Sequence, residues 1–180
     1  GCNIFAAAQI LFIKDDNTTT NSLLYNDIIE LGYSVDVVAA DLLTIESLNQ
    51  HSMAILSTGS NLYACGSSNM RLGLERYMLE FNGNVIIEGG QKWDIAAVLP
   101  FYFGFRNKVM KIDGWTADIG GDLILSDNAL SSGIANNPNQ LALTIPIIYS
   151  QIGDQDVCSN NKFTQILYKT SLYPDQVGVL

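Results

Sequence analysis

Asp15 and Asp16, Ser57, Thr58 and Gly59, and Glu88, Gly89 and Gly90 are the residues of this chain whose types and positions suit chemistry. Each group stands at or just after the end of a short apolar run. Carboxylates supply acceptors and negative charge, hydroxyls supply both donors and acceptors, and glycine lets backbone approach a ligand closely. Such a set suits a polar ligand or a cation. The same residue types build turns and satisfy helix N-termini, so a purely structural reading stands beside the functional one.

The elements that would position these residues alternate between strand and helix. Gln9-Ile10-Leu11-Phe12-Ile13-Lys14 reads as a buried strand that leaves its sheet into the polar loop Asp15-Asp16-Asn17. Thr20 or Asn21 can cap a helix on which Leu23, Leu24, Ile28 and Leu31 recur at helical spacing until Gly32 stops it. Val35 to Ala39 is a second strand, a short helix runs through Leu42 to Leu48, and Met53 to Ser57 is a third strand. Met70 to Phe81 carries Leu72, Leu74, Tyr77, Met78 and Phe81 on a broad apolar face, and the turn Asn82-Gly83-Asn84 delivers a fourth strand, Val85 to Ile87. Consecutive apolar strands separated by helices predict parallel strands joined by right-handed crossovers and covered on both faces. The predicted fold is therefore α/β, three-layered and doubly wound, with a mainly parallel sheet. Ligands of such sheets sit beyond the carboxyl ends of the strands, where the strand order reverses, and that rule selects the residues above.

The second half is less regular. Val109 to Ile112, Leu123 to Leu125 and Leu141 to Ile148 read as short strands, with Phe163 to Lys169 and Gln176 to Leu180 as a closing pair. Gly114, Gly120, Gly121, Gly133 and the cluster Asn136-Asn137-Pro138-Asn139 punctuate them as turns. The organisation expected is one α/β domain over residues 9–180. The apolar end Val177-Gly178-Val179-Leu180 suggests a domain truncated at its C-terminal end.

The chain has 180 residues, 48% of them hydrophobic and 15% charged, enough to bury a core without metal or disulfide staples. No apolar run reaches the roughly 20 residues of a membrane-spanning helix. Net charge −9 disfavours a nucleic-acid partner, and Arg106, Lys108 and Lys111 read as a solvated loop rather than a basic stripe. Phe5-Ala6-Ala7-Ala8-Gln9 has the small-x-small pattern of a signal-peptidase site, so residues 1–8 read as a signal remnant or a tail. Gly1-Cys2 also has the form of a lipoprotein attachment point. Both readings place the protein outside the cytoplasm: extracellular, periplasmic or on the cell surface. Cys65 and Cys158 lie in polar, loop-like contexts, either as a disulfide or as two unrelated thiols. With a single His and no closely spaced cysteines, neither a zinc site nor any other metal or cofactor is expected.

The strand end Ile87-Glu88-Gly89-Gly90-Gln91, following the helix at Arg71 to Phe81, resembles the G-x-C-x-G elbow of the class I glutamine amidotransferase-like family, across roughly residues 9–103. The resemblance implies a flavodoxin-like α/β fold and puts Glu88 at the nucleophile's place. It also implies no glutaminase activity, because that chemistry needs a cysteine thiolate and a downstream His as general base. This chain has Glu88 for the first, and His51 lies upstream, where it reads as a surface residue. Ile10 to Asp16, followed by a helix and Leu31-Gly32-Tyr33-Ser34-Val35-Asp36-Val37, looks like non-catalytic amidotransferase-like domains attached to secreted bacterial peptidases and surface proteins. That likeness implies a binding or accessory module whose partners are other domains of the same chain or a surface partner.

Two other chemistries compete. Asp15-Asp16-Asn17-Thr18-Thr19, Thr58, Lys92 or Lys108, and Gly121-Asp122 with Asp127 follow the order of motifs in haloacid dehalogenase-like phosphatases, which resemble this chain to that extent. The resemblance implies Asp15 as nucleophile and Mg²⁺ as the metal, with Asn17 departing where a general acid belongs. Alternatively, Asp113, Asp118, Asp122 and Asp127 could supply oxygens to Ca²⁺, although their spacing is not that of a helix-loop-helix calcium site. The aromatic run Trp93, Phe101, Tyr102, Phe103 and Phe105 suits either a core or a docking face, and Trp115, between Gly114 and Thr116, is the more exposed candidate.

Overall fold

A computed structural model describes residues 9–15, 23–59, 64–89, 102–117, 119–136, 140–147 and 156–179. The chain divides into two compact units, residues 1–89 and 90–180. The first follows the sequence pattern closely. Strands β1 (Ile10–Lys14), β2 (Val35–Ala39), β3 (Met53–Ser57) and β4 (Asn84–Glu88) form an all-parallel sheet in the order β2-β1-β3-β4. Between them run helix α1 (Leu23–Glu30), a 3₁₀ turn (Ala40–Leu42), helix α2 (Ile45–Asn49) and helix α3 (Ser68–Phe81). β1 and β3 are the central strands and are buried along nearly their whole length. That is the burial expected of a strand covered on both faces.

Side chains alternate across a strand, so β1 feeds two cores. Ile10 and Phe12 meet Ile28 of α1 and Ile55 of β3, with Leu24, Tyr25, Val35 and Met53 packed around them. The Phe12 and Tyr25 rings meet edge to face, their centroids 5.2 Å apart. Leu11 and Ile13 face the opposite side and are equally buried, as are Met70, Leu74 and Tyr77 on the apolar face of α3. α1 turns Leu24, Tyr25 and Ile28 inward, whereas Leu23 and Leu31, expected on its apolar face, are exposed.

Local chemistry sets the helix ends. Thr44 and Ser47 form a capping box on α2, and the Ser67 hydroxyl accepts from the Met70 amide to start α3. α3 stops at Asn82 in the left-handed region, φ 54°. His51 is buried, not on the surface as expected. Its Nδ1 lies 2.6 Å from the Ser47 carbonyl oxygen and its Nε2 3.1 Å from Asp36 Oδ2. The Tyr77 hydroxyl donates to the His51 carbonyl at 2.9 Å, tying α3 to the start of β3. Tyr77→Phe is expected to lower stability by about 1 kcal/mol, the net worth of a typical hydrogen bond, as measured by urea denaturation.

The second unit overturns the expectation of one three-layered, doubly wound, mainly parallel sheet of flavodoxin-like type. Strands β5 (Ile112–Ala117), β6 (Leu123–Leu125), β7 (Thr144–Ile145), β8 (Val157–Asn160), β9 (Tyr168–Thr170) and β10 (Val177–Val179) form a separate antiparallel sheet in the order β5-β8-β10-β9-β6-β7. The physical reason lies in the pattern after β4. Leu123, Ile124 and Leu125 are buried, exposed and buried, and the Tyr168 and Thr170 side chains are buried on either side of a half-exposed Lys169. Strands with one buried face suit antiparallel pairing, whereas a parallel neighbour needs a crossover of a dozen residues or more. One core cluster here comprises Leu123, Leu125, Ala129, Ala135 and Tyr168.

The individual elements differ too. Val109 and Met110, expected in a strand, belong to a π-helical turn (Arg106–Met110) that continues a short helix (Phe103–Phe105), and the strand begins at Ile112. Within the expected strand Leu141 to Ile148 only Thr144–Ile145 is extended among the described residues. A helix at Asp127–Ser132 and the strand β8 were not expected. Cys65 and Cys158 are each buried as free thiols, one in each unit. Among the described residues no helix is long and apolar enough to cross a membrane.

Candidate functional site

The order β2-β1-β3-β4 places the reversal of strand order between β1 and β3, so the crevice of interest lies beyond Lys14 and Ser57. Parallel register puts Lys14, Ser57 and Glu88 side by side at the ends of three adjacent strands. Pairing continues one step further: the Asp15 amide donates to the Ser57 carbonyl at 2.9 Å and the Thr58 amide to the Glu88 carbonyl at 3.0 Å. Asp15, Ser57, Thr58, Gly59, Glu88 and Gly89 are thereby gathered on one edge, as the sequence rule proposed. Asp16 and Gly90 lie outside the described residues.

The donors of this edge are turned inward. The buried Ser57 hydroxyl donates to Glu88 Oε1 at 2.6 Å, and the Thr58 hydroxyl to the Glu88 carbonyl at 3.2 Å. The Cys65 amide donates to Asp15 Oδ2, and Arg71 Nη1 donates to the carbonyls of Cys65 and Gly66. A carboxylate has about four acceptor sites, so Glu88 can accept from Ser57 and from a ligand at once. Hydroxyl and amine groups therefore match this edge better than a phosphate or carboxylate.

Gly89 closes the edge from the β4 side. Its φ is +127°, and a Cβ there would lie 2.2 Å from Thr58 Oγ1 and 2.9 Å from the Gly59 amide nitrogen. Gly59, with φ 51°, and Cys65, with φ 60°, also adopt the left-handed region. Backbone density here is what permits the strand ends to meet.

Lys14, Cys65 and Arg71 join the site without having been singled out for it. Period-2 alternation along β1 would have found Lys14, because it shares the face of Ile10 and Phe12. Cys65 and Arg71 carry no local signal, since the turn before α3 brings in the first and the start of α3 the second. Burial pushes the Cys65 thiol up to about 12, with the Asp15 carboxylate adding to the shift and the Arg71 guanidinium opposing it. A thiol held protonated is a poor nucleophile.

Residues of the competing chemistries fall elsewhere. Asp122 belongs to the antiparallel unit, where its Oδ1 accepts from the Ile147 amide at 3.0 Å, and Asp127 lies 3.8 Å from Lys169 Nζ. Lys108 is on the π-helical turn, while Asn17 and Lys92 lie outside the described residues. Asp113 is exposed on β5 and Asp118 lies outside the described residues. Among the described residues no three His, Cys, Asp or Glu side chains gather as a metal-binding group. Of the aromatics, Tyr102 and Phe105 are buried, Phe103 is exposed, and Trp93 and Phe101 lie outside the described residues. Trp115 is half-buried and its indole donates to Asp156 at 2.9 Å. Compared with known proteins, the chain matches no family model, no curated protein and no solved structure.

Proposed function

We propose that residues 9–89 form a non-catalytic module that binds a small polar ligand rich in hydroxyl or amine groups at the carboxyl edge of the parallel sheet. It resembles an amidotransferase-like domain without its nucleophile and serves as an accessory part of an exported bacterial protein. One observation carries the reading. Glu88, at the strand end where the resemblance would place a thiolate, receives the Ser57 hydroxyl at 2.6 Å and thus acts as an acceptor. The nearby Cys65 thiol is held protonated by burial, which further supports binding over turnover.

The test is a thermal-shift screen of amines, amino acids, sugars and polyols, run beside assays for ammonia release from glutamine and for Mg²⁺-dependent phosphate release from p-nitrophenyl phosphate. The expected result is no turnover, and a hit that raises Tm in the wild type and not in Glu88→Gln. At a ligand concentration of about 100 Kd the stabilisation is about 2.7 kcal/mol. Turnover of either substrate that disappears in Asp15→Asn would overturn the reading. So would hits that stabilise wild type and Glu88→Gln equally.

A further inference from the structure

The chain has one histidine, His51, in the turn that leads from α2 to β3. Its side chain is 4% exposed, and each ring nitrogen meets an oxygen: Nδ1 the Ser47 carbonyl of α2 at 2.6 Å, Nε2 the Asp36 Oδ2 of β2 at 3.1 Å. Both partners are acceptors, the carbonyl always and the carboxylate whenever it is ionised. A neutral imidazole carries one N–H and one bare nitrogen, so it satisfies one of these oxygens and sets a lone pair against the other. The imidazolium donates to both.

The position suits a cation. The Ser47 carbonyl belongs to the last turn of a helix, where carbonyls lack an intrahelical partner and positive charge is favoured, and Asp36 supplies the opposite charge. From α3, the Tyr77 hydroxyl donates to the His51 carbonyl; burial pushes that hydroxyl above its usual range, so it remains a donor throughout the range in which histidine titrates. Arg76 of α3 pairs with Glu80 one turn on and feels the charge of Glu46 in the first turn of α2. Among the described residues β2 pairs with β1 alone, and its Asp36, Val37 and Ala39 are exposed, so the bridge to His51 ties down a lightly held outer strand.

We propose that His51 is a proton-operated clasp, which as the imidazolium fastens β2 to the turn between α2 and β3 and on losing one proton lets Asp36 go. The proton leaves from Nε2. Nδ1 keeps its own against the nearer carbonyl, whereas the Asp36 side chain is 65% exposed and can turn to water. Wherever the imidazolium is held, the folded unit binds one proton more than the unfolded chain. The stability this contributes is therefore full below the unfolded imidazole's value, about 6.5, and is lost as pH rises and the folded ring gives the proton up. His51 stands before the amino end of β3, so this inference is independent of the ligand edge at the carboxyl end.

Nuclear magnetic resonance of the ¹⁵N-labelled whole chain tests it, since a single histidine gives one set of ring signals. At pH 5.5 both ring nitrogens are expected to carry protons, and between pH 5.5 and 8.5 Nε2 alone is expected to lose its own. Urea unfolding followed on the same ring should show the midpoint falling by about 0.5 M across that interval. In Asp36→Asn the carboxamide can turn either its oxygen or its NH₂ to Nε2, so the neutral ring is satisfied too and the midpoint should hold steady. Asp27→Asn, which removes an equal charge from an exposed position on α1, should keep the wild-type slope. A ring with Nε2 bare at pH 5.5 would overturn the proposal. So would a wild-type midpoint insensitive to pH, or one that falls equally in Asp36→Asn.

Discussion

Gly89→Ala is expected to destabilise the parallel unit by about 3 kcal/mol or more, beyond the usual range for a point substitution away from a core. Two costs add. At φ +127° any side chain is strained, typically by about 1–3 kcal/mol. The new Cβ would also meet Thr58 Oγ1 at 2.2 Å and the Gly59 nitrogen at 2.9 Å. The second contact is backbone and cannot rotate away, so the β3 and β4 ends must separate. Separation breaks the Thr58 amide bond to Glu88 and loosens the Ser57–Glu88 pair. Urea denaturation measures the loss, and ligands found in the thermal-shift screen should fail to stabilise Gly89→Ala. Gly32→Ala is the control. Its φ is +86° but its Cβ would meet nothing within 4 Å, so it bears the backbone strain alone and should cost less. Equal losses in the two variants would show that the packing of Gly89 against Thr58 contributes nothing.

The second large effect concerns the two thiols. Burial pushes Cys65 and Cys158 each up to about 12; Asp15 and Asp156 respectively add to the shift, and Arg71 and Arg106 oppose it. Only the thiolate reacts with alkylating agents, so at pH 8 modification is expected to be about a thousandfold slower than in the unfolded chain. Peptide mapping after iodoacetamide treatment checks this residue by residue. The same shifts have a stability consequence whose sign is fixed. A pKa raised on folding contributes stability that is fully present below the unfolded value, near 9, and is lost as pH rises towards the folded value, near 12. Each thiol is expected to lower stability progressively across that window. Cys65 acts on the parallel unit and Cys158 on the antiparallel one, so Cys65→Ala should flatten the alkaline loss of the first only. Rapid labelling of both thiols at neutral pH would sink this account.

Much of residues 9–89 was legible from the sequence. β2 and β3 fall where the apolar runs predicted them, β4 extends its run by one residue at each end, and Gly32 and the Asn82-Gly83 turn end their helices as read. The central runs are legible because a strand buried on both faces, as β1 and β3 are, must be apolar throughout, and a helix between two strands leaves a 3.6-residue period. The positional rule also reached Asp15, Ser57, Thr58, Gly59, Glu88 and Gly89, because a parallel sheet sends all its strand ends to one edge. Residues 102–179 were misread because their strands are short, two to six residues, and buried on one face. Two or three alternating residues are compatible with several partners and either direction.

By itself, then, the sequence determined the existence and succession along the chain of the β1–β4 units, the edge on which the polar residues collect, and the absence of a thiol at position 88. Only the tertiary structure decided that the chain builds two sheets rather than one. It also decided that Ser57 turns its hydroxyl to Glu88, that the Cys65 amide meets Asp15, and that Asn161 joins the Phe163 turn to Lys111. The division follows from range. Hydrophobic period and turn chemistry act over a few neighbours and are written along the chain, whereas the Ser57–Glu88, Cys65–Asp15 and Asn161–Lys111 contacts join residues 31 to 50 positions apart and depend on how already formed elements pack.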